Sequence, residues 1–323
     1  MQFTLEELDW ATEVVGRRVP PTPQYVWPLL GRDIGAEVWV KHENYTPTGA
    51  FKVRGGLVYA ERLLIERPSV KGIISATRGN HGQSLAFAGT SAGLAVTIVV
   101  PYGNSQDKNA SMREFGAELI EHGRDFQEAR EYAIELGAER GLEIDPPFHP
   151  DLVLGVATYA RELFAQAWEL DTVYVPVGMG TGICGLIGVR DLLGLRTEIV
   201  GVVAANAPAT ALSVAAGHVV STESAATFVD GVACRLPDAD AISIISGGAA
   251  RILTVSEEAA AAAMRQLFAA THNVAEPAGA LALAGLLAER ELSQGKRVAV
   301  IQSGGNVDAS VLTQVLSGET PSS

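Results

Sequence analysis

Apolar residues in this chain gather either in short unbroken runs or in longer stretches where they recur every three to four positions, a pattern that predicts strands alternating with helices. An acidic amphipathic helix is expected over Thr4 to Val15, and Pro20, Pro21 and Pro23 force an extended passage after it. Glu37 to Lys41 alternates as a strand and leads through the loop Asn44-Tyr45-Thr46-Pro47 into a helix from about Phe51 to Glu66, closed by Pro68. From Gly72 the rhythm is regular. Strands are expected at Gly72 to Ala76, Ala95 to Pro101, Ala117 to Ile120 and Gly141 to Ile144, with helices over Gly82 to Gly93, Lys108 to Phe115 and Asp125 to Leu136 between them; such alternation implies a parallel sheet. The Pro-rich turn from Asp145 to Pro150 breaks the rhythm and marks a domain crossing. Beyond it come a strand at Thr172 to Val177, a helix from Ile183 to Leu193 and a strand at Ile199 to Val203. A helix capped by Ser256, another from Ala278 to Arg290 and a strand at Arg297 to Ile301 complete the pattern.

With 323 residues, 47% hydrophobic and 19% charged, the chain can hold two domains or one large α/β unit and is too apolar to be disordered. A formal net charge of -13 repels phosphate backbones and anionic lipid heads, so nucleic acid and membrane surfaces are excluded as partners and small metabolites remain. Cys184 and Cys234 form neither a disulfide framework nor a metal-ligand spacing, which fits a reduced cytoplasm. Residues 1 to 20 carry Glu6, Glu7, Asp9 and Glu13 without an apolar run, so no secretory signal is expected, and no apolar run is of bilayer length.

Four stretches bear chemistry. In Thr48 to Gly56 a single lysine, Lys52, stands between Phe51 and Val53 at the start of a helix; it is either a surface lysine or one held dry, with a lowered pKa and a nucleophilic amine. Thr77-Arg78-Gly79-Asn80-His81-Gly82 lies between strand and helix, either a plain turn or a set of backbone donors for a carboxylate or phosphate. Gly178-Met179-Gly180-Thr181-Gly182 follows a strand and opens a helix, the layout of a phosphate cradle. Ile183 stands where a dinucleotide fingerprint needs glycine, and the strand Ile199 to Val203 ends without an acidic ribose partner, which disfavours a nicotinamide cofactor. Gln302-Ser303-Gly304-Gly305-Asn306 ends a strand with a hydroxyl that points at a ligand ring or closes a local turn.

In order and spacing these stretches resemble the fold type II pyridoxal-phosphate enzymes, specifically the serine/threonine dehydratase and serine racemase family. The resemblance runs nearly the whole chain, through Pro21-Thr22-Pro23, Lys41-His42-Glu43-Asn44, Lys108 with Met112-Arg113, Asp230-Gly231 and Glu276-Pro277-Ala278-Gly279. It implies a two-domain α/β fold like that of the tryptophan synthase β chain, built on parallel sheets with pyridoxal 5'-phosphate in the cleft, a small domain over 72–147 and a large one over 1–71 plus 148–323. It also implies roles. Lys52 would carry the cofactor as a Schiff base and act as the catalytic base at Cα, with Phe51 packed beside the ring and Asn80 bonded to its 3-hydroxyl. Gly178, Met179, Gly180, Thr181 and Gly182 would hold the phosphate and Ser303 would face the pyridine nitrogen, a neutral partner that favours elimination over transamination. Thr77, Arg78, Gly79, Asn80 and His81 would bind the substrate carboxylate and set the Cα–H bond against the ring. The expected reaction is conversion of a 3-hydroxy amino acid to a 2-oxo acid and ammonia, by a cytoplasmic enzyme that, as family members commonly are, is a homodimer.

Four departures shape that expectation. Arg78 stands where racemases of this family carry a serine acid/base, which argues against racemisation and for a carboxylate clamp. Met179 and Thr181 interrupt an otherwise all-glycine phosphate loop. Gly155-Val156-Ala157-Thr158 lacks the family's glutamine, which hints at a more apolar substrate pocket. Ala204, Ala205, Asn206 and Ala207 replace the acidic residue of a divalent-cation site, so no metal is expected. The chain ends soon after Ser303, which suggests a catabolic enzyme without a regulatory domain. The rival readings are a racemase or β-replacement enzyme of the same fold, and a non-catalytic amino-acid sensor. Serine, threonine, 3-hydroxyaspartate and phenylserine-like compounds all stay open as substrates.

Overall fold

A computed structural model of the chain describes residues 3–167 and 169–322. Its strands are β1 Gln24–Val26, β2 Glu37–His42, β3 Gly72–Ala76, β4 Ala95–Val100, β5 Glu118–Glu121, β6 Glu143–Ile144, β7 Thr172–Pro176, β8 Glu198–Ala204, β9 Arg251–Val255 and β10 Arg297–Gln302. They form a six-stranded sheet in the order β1-β2-β10-β7-β8-β9 and a four-stranded sheet in the order β5-β4-β3-β6. Every pairing is parallel except β1 with β2. Parallel strands need helical crossovers that cover both faces, which is why runs such as Ala95–Val100 are apolar nearly throughout and buried from Val96 onward.

Helix ends follow local chemistry. Thr4 and Glu7 close a reciprocal capping box on Leu5–Gly16, and Asp125 caps Phe126–Arg140, which stops at Gly141 in the left-handed region. The helices behind both candidate binding turns begin earlier than the sequence pattern suggests: Asn80–Ser91 takes in Asn80 and His81, and Thr181–Leu192 takes in Thr181 and Gly182. Both candidate binding turns are therefore first turns of helices. The pattern missed further elements, namely Pro28–Ile34, Pro150–Gln166, Ala209–Ala216, Ala239–Gly248 with β9 after it, and Ala309–Leu316.

The helix Lys52–Glu66 packs on Asn80–Ser91 and on Pro150–Gln166, and Val53, Leu57, Val58, Leu152 and Leu154 share one apolar core with Ile73, Val96 and Ile98 of the small sheet. Gly55 permits the close approach, since a Cβ there would lie 2.8 Å from the Leu152 carbonyl oxygen. Among the described residues no helix is long and apolar enough to cross a membrane.

Candidate active site

Lys52 is the first residue of its helix, delivered by a loop that Thr46 closes: its hydroxyl donates to the Ala50 carbonyl at 2.8 Å and accepts from the Ala50 amide at 2.9 Å. Burial pulls the Lys52 ammonium below its ordinary value; the Glu276 and Asp230 carboxylates oppose that and Lys108 adds to it. The end of β10 arrives beside it, with the Phe51 amide donating to the Ser303 carbonyl at 3.0 Å and Ala50 bridging Gly304. The glycine loop lies on the other flank. A Cβ on Gly182 would sit 3.7 Å from the Phe51 ring and 3.5 Å from the Tyr159 hydroxyl, which donates to the Gly182 carbonyl at 3.0 Å.

Asn80 joins from the small sheet. Its Nδ2 donates to Oε1 of Glu276 at 2.7 Å and its Oδ1 accepts from Nδ2 of Asn306 at 2.9 Å, while the Glu276 amide donates to the Gly304 carbonyl at 3.1 Å. All four stretches thus meet at the carboxyl ends of β3, β7 and β10 and at the helix that follows β2, where ligands bind in open α/β sheets. Lys108 reaches the same place and pairs with Asp230. Desolvation works against its charge, yet Asp230 and Glu276 raise the Lys108 ammonium above its usual value.

The loop is shaped for an anion. Gly180 has φ +100°, which favours glycine, and no side chain caps the helix Thr181–Leu192 that it opens, so that N-terminus has no side-chain acceptor. The description of the family model that matches residues 16–304 is pyridoxal-phosphate dependent enzyme. This chain belongs to that family.

The residues fit the family's cofactor on their own geometry. A desolvated amine, an uncapped glycine-led helix N-terminus and a buried Glu276 oxygen, Oε2, with no hydrogen-bond partner among the described residues lie where the four stretches meet. L-threo-3-hydroxyaspartate ammonia-lyase of Saccharomyces cerevisiae is 31% identical over 96% of this chain and 95% of its own length. A biosynthetic L-threonine dehydratase of Escherichia coli is 35% identical over 89% of this chain; as with the Salmonella typhimurium enzyme, the chain spans only 56% of that relative. The processed form of threonine deaminase isoform 2 from Solanum lycopersicum superposes with a TM-score of 0.89 at 28% identity, covering 98% of this chain and 94% of the other.

Not every residue singled out in the sequence turns to the cleft. His81 is the second residue of its helix, and its ring meets the buried Asp145 at 2.5 Å, so this side chain ties the helix to the residue that follows β6. Thr77 is buried, with its hydroxyl accepting from the Gly79 amide at 3.3 Å; Arg78 is not one of these, being exposed on the same turn. Met179 packs its sulfur 3.5 Å from that of Cys234. Val156, read as a sign of an apolar substrate pocket, is instead buried in the core against Gly55, so losing the amide there is a matter of helix packing. Glu276, Lys108, Asp230 and Asn306 stand in motifs that carry the resemblance, yet nothing local in the sequence gives them a role; only the fold brings them to Lys52.

Behind the cleft, His42 at the end of β2 is fixed as one tautomer. The Trp27 indole can only donate, so His42 Nε2 accepts at 3.0 Å and Nδ1–H donates to Gln302 at 2.9 Å; Gln302 then donates to the Val274 carbonyl. Desolvation, with the Gln302 bond opposing it, pushes the imidazole down to about 4. An unfolded imidazole takes a proton near 6.5. The stability His42 contributes is therefore complete above pH 6.5 and lost as pH falls through 4, amounting to about 3 kcal/mol. The stability advantage of wild type over His42→Gln, from urea midpoints at half-unit pH steps, is expected to shrink across that window; a constant difference would refute it.

Proposed function

We propose that the protein is an ammonia-lyase that converts a 3-hydroxy amino acid to a 2-oxo acid and ammonia, the water lost on elimination being returned on hydrolysis. One observation carries this reading: a desolvated amine, Lys52, at the head of a helix, with the glycine loop and Phe51 on one flank and Glu276 near it. Pyridoxal phosphate, when bound, supplies an electron-withdrawing ring that takes up charge left at the substrate's Cα. The chain does the rest. Lys52, its ammonium depressed by burial, takes the Cα proton. The first turn of Asn80–Ser91, which no side chain caps, offers backbone donors to the substrate carboxylate. Thr181–Leu192 would do the same for a phosphate, and Ser303, buried just past β10, would offer the ring a neutral hydroxyl. In this reading residues 72–147, which contain the whole four-stranded sheet, act as a small unit closing on the remainder.

Within that substrate class the exposed guanidinium of Arg78, on the turn assigned to carboxylate binding, favours a side chain with a second carboxylate. The yeast relative, similar over nearly its full length and named for 3-hydroxyaspartate, supports this choice. The test is 2-oxo-acid release from serine, threonine, 3-hydroxyaspartate and phenylserine. The largest kcat/KM is expected with 3-hydroxyaspartate, and Arg78→Ala should lower it about 30-fold there while leaving threonine little changed. Release from none of the four would overturn the proposal.

A further inference from the structure

Glu276 is nearly fully buried and divides its two oxygens between different tasks. Oε1 accepts from Asn80, whose Oδ1 is in turn taken by Asn306 Nδ2, itself donating to the Thr48 carbonyl at 2.7 Å. That arrangement decides which way the Asn80 amide faces: its nitrogen lies on the Glu276 side, leaving a second N–H to give. Oε2 is buried without a partner among the described residues, a costly state for an ionised carboxylate and a tolerable one for a carboxyl that carries a proton there and aims it at a group bound beside Lys52. Gly304 leaves this carboxyl its place, since a Cβ there would collide with Oε1.

We propose that Glu276 is a proton-carrying positioning residue: through Oε1 it fixes Asn80 as a donor, and through Oε2 it presents a hydrogen to the ring of the bound cofactor. The inference rests on the cofactor reading above and gives that site a residue which sequence reasoning left without a role. The charged groups facing Glu276 are Lys52 at the head of its helix, Lys108 from the small sheet's side and Asp230 beside the glycine loop. Desolvation raises the carboxyl most, Asp230 adds to it, and Lys108, the Asn80 bond and Lys52 pull the other way; the balance is pushed up to about 7.

Three measurements test this, two without substrate. In cofactor-free protein, infrared difference spectra should show a protonated carboxyl band that titrates near pH 7 and is absent from Glu276→Gln. With pyridoxal phosphate added, Glu276→Ala should bind it about tenfold more weakly, the effect of one lost polar bond, while Glu276→Gln, able to keep the bond from Asn80, should bind within about threefold of wild type. The pH midpoint of the bound cofactor's visible band should move in both variants. A band unchanged in Glu276→Gln, or wild-type affinity and midpoint in Glu276→Ala, overturns the proposal. A wild-type protein that takes up no pyridoxal phosphate overturns the cofactor reading instead.

Discussion

Lys52→Ala is expected to lower 2-oxo-acid production by about 10⁴-fold, the scale on which a positioned base and nucleophile act. The same change should raise the stability of the cofactor-free protein. Burial pulls the Lys52 ammonium down, so the folded state holds that charge less willingly than the unfolded chain. The sign follows: a lysine with a depressed folded pKa destabilises the fold at every pH where the unfolded chain keeps its proton, and removing it relieves that cost. Turnover and urea midpoint should therefore move in opposite directions. Retention of full turnover would remove Lys52 from the chemistry, and a large fall in midpoint would make it a structural residue.

Arg54→Met should destabilise the protein by about 4 kcal/mol, because it breaks a buried ionic cluster from one side. Arg54 lies two residues past Lys52 and is wholly buried. Its guanidinium donates to Glu43 at 2.7 and 3.0 Å, to Glu162 at 2.7 and 3.0 Å and to the Thr158 hydroxyl at 3.1 Å. Lys41 completes the balance, donating to Glu162 at 2.6 Å and to the Thr22 carbonyl at 3.0 Å. Without Arg54, two carboxylates share a single buried lysine. Arg54→Lys should not rescue stability, since one ammonium cannot reproduce a planar fork that spans both acids. Because the cluster pins the first turn of the Lys52 helix to β2 and to Pro150–Gln166, cofactor affinity should fall with stability. Denaturant midpoints and cofactor titration on the same preparations check both, and a Lys variant as stable as wild type would show that charge alone suffices.

The residues legible in the sequence were those whose chemistry is local. Lys52 among apolar neighbours, the glycines after β7 and the strand end at Ser303 each carry their signal within a few positions, and the β/α alternation from Gly72 to Ile144 is set by periodicity alone. Pro150–Gln166 has no clear signal for a physical reason: eleven of its seventeen residues are buried, and Leu152 to Ala157 run apolar without a polar break, a stretch as fit for a buried strand as for a helix. Pro28–Ile34 follows the prolines Pro20, Pro21 and Pro23 that mark an extended passage, yet Pro28 itself opens a helix, as the first helical position allows because its missing N–H costs nothing there. Asn80 with Glu276, and His81 with Asp145, are pairs separated by 196 and 64 residues, which only the packed fold can bring together.

The two sheets are joined differently on their two sides. Toward the helices Lys52–Glu66 and Pro150–Gln166 the small sheet packs through an apolar core, whose separation would expose surface at about 25 cal/mol per Å². Around the cleft it is stitched by Lys108 to Asp230, Asn80 to Glu276, and the Ser105 hydroxyl donating to Asp308 at 2.6 Å, bonds that water can replace one for one. Parting the two sheets along those helices would wet hydrocarbon, whereas parting them along the site would exchange bonds within the protein for bonds to water.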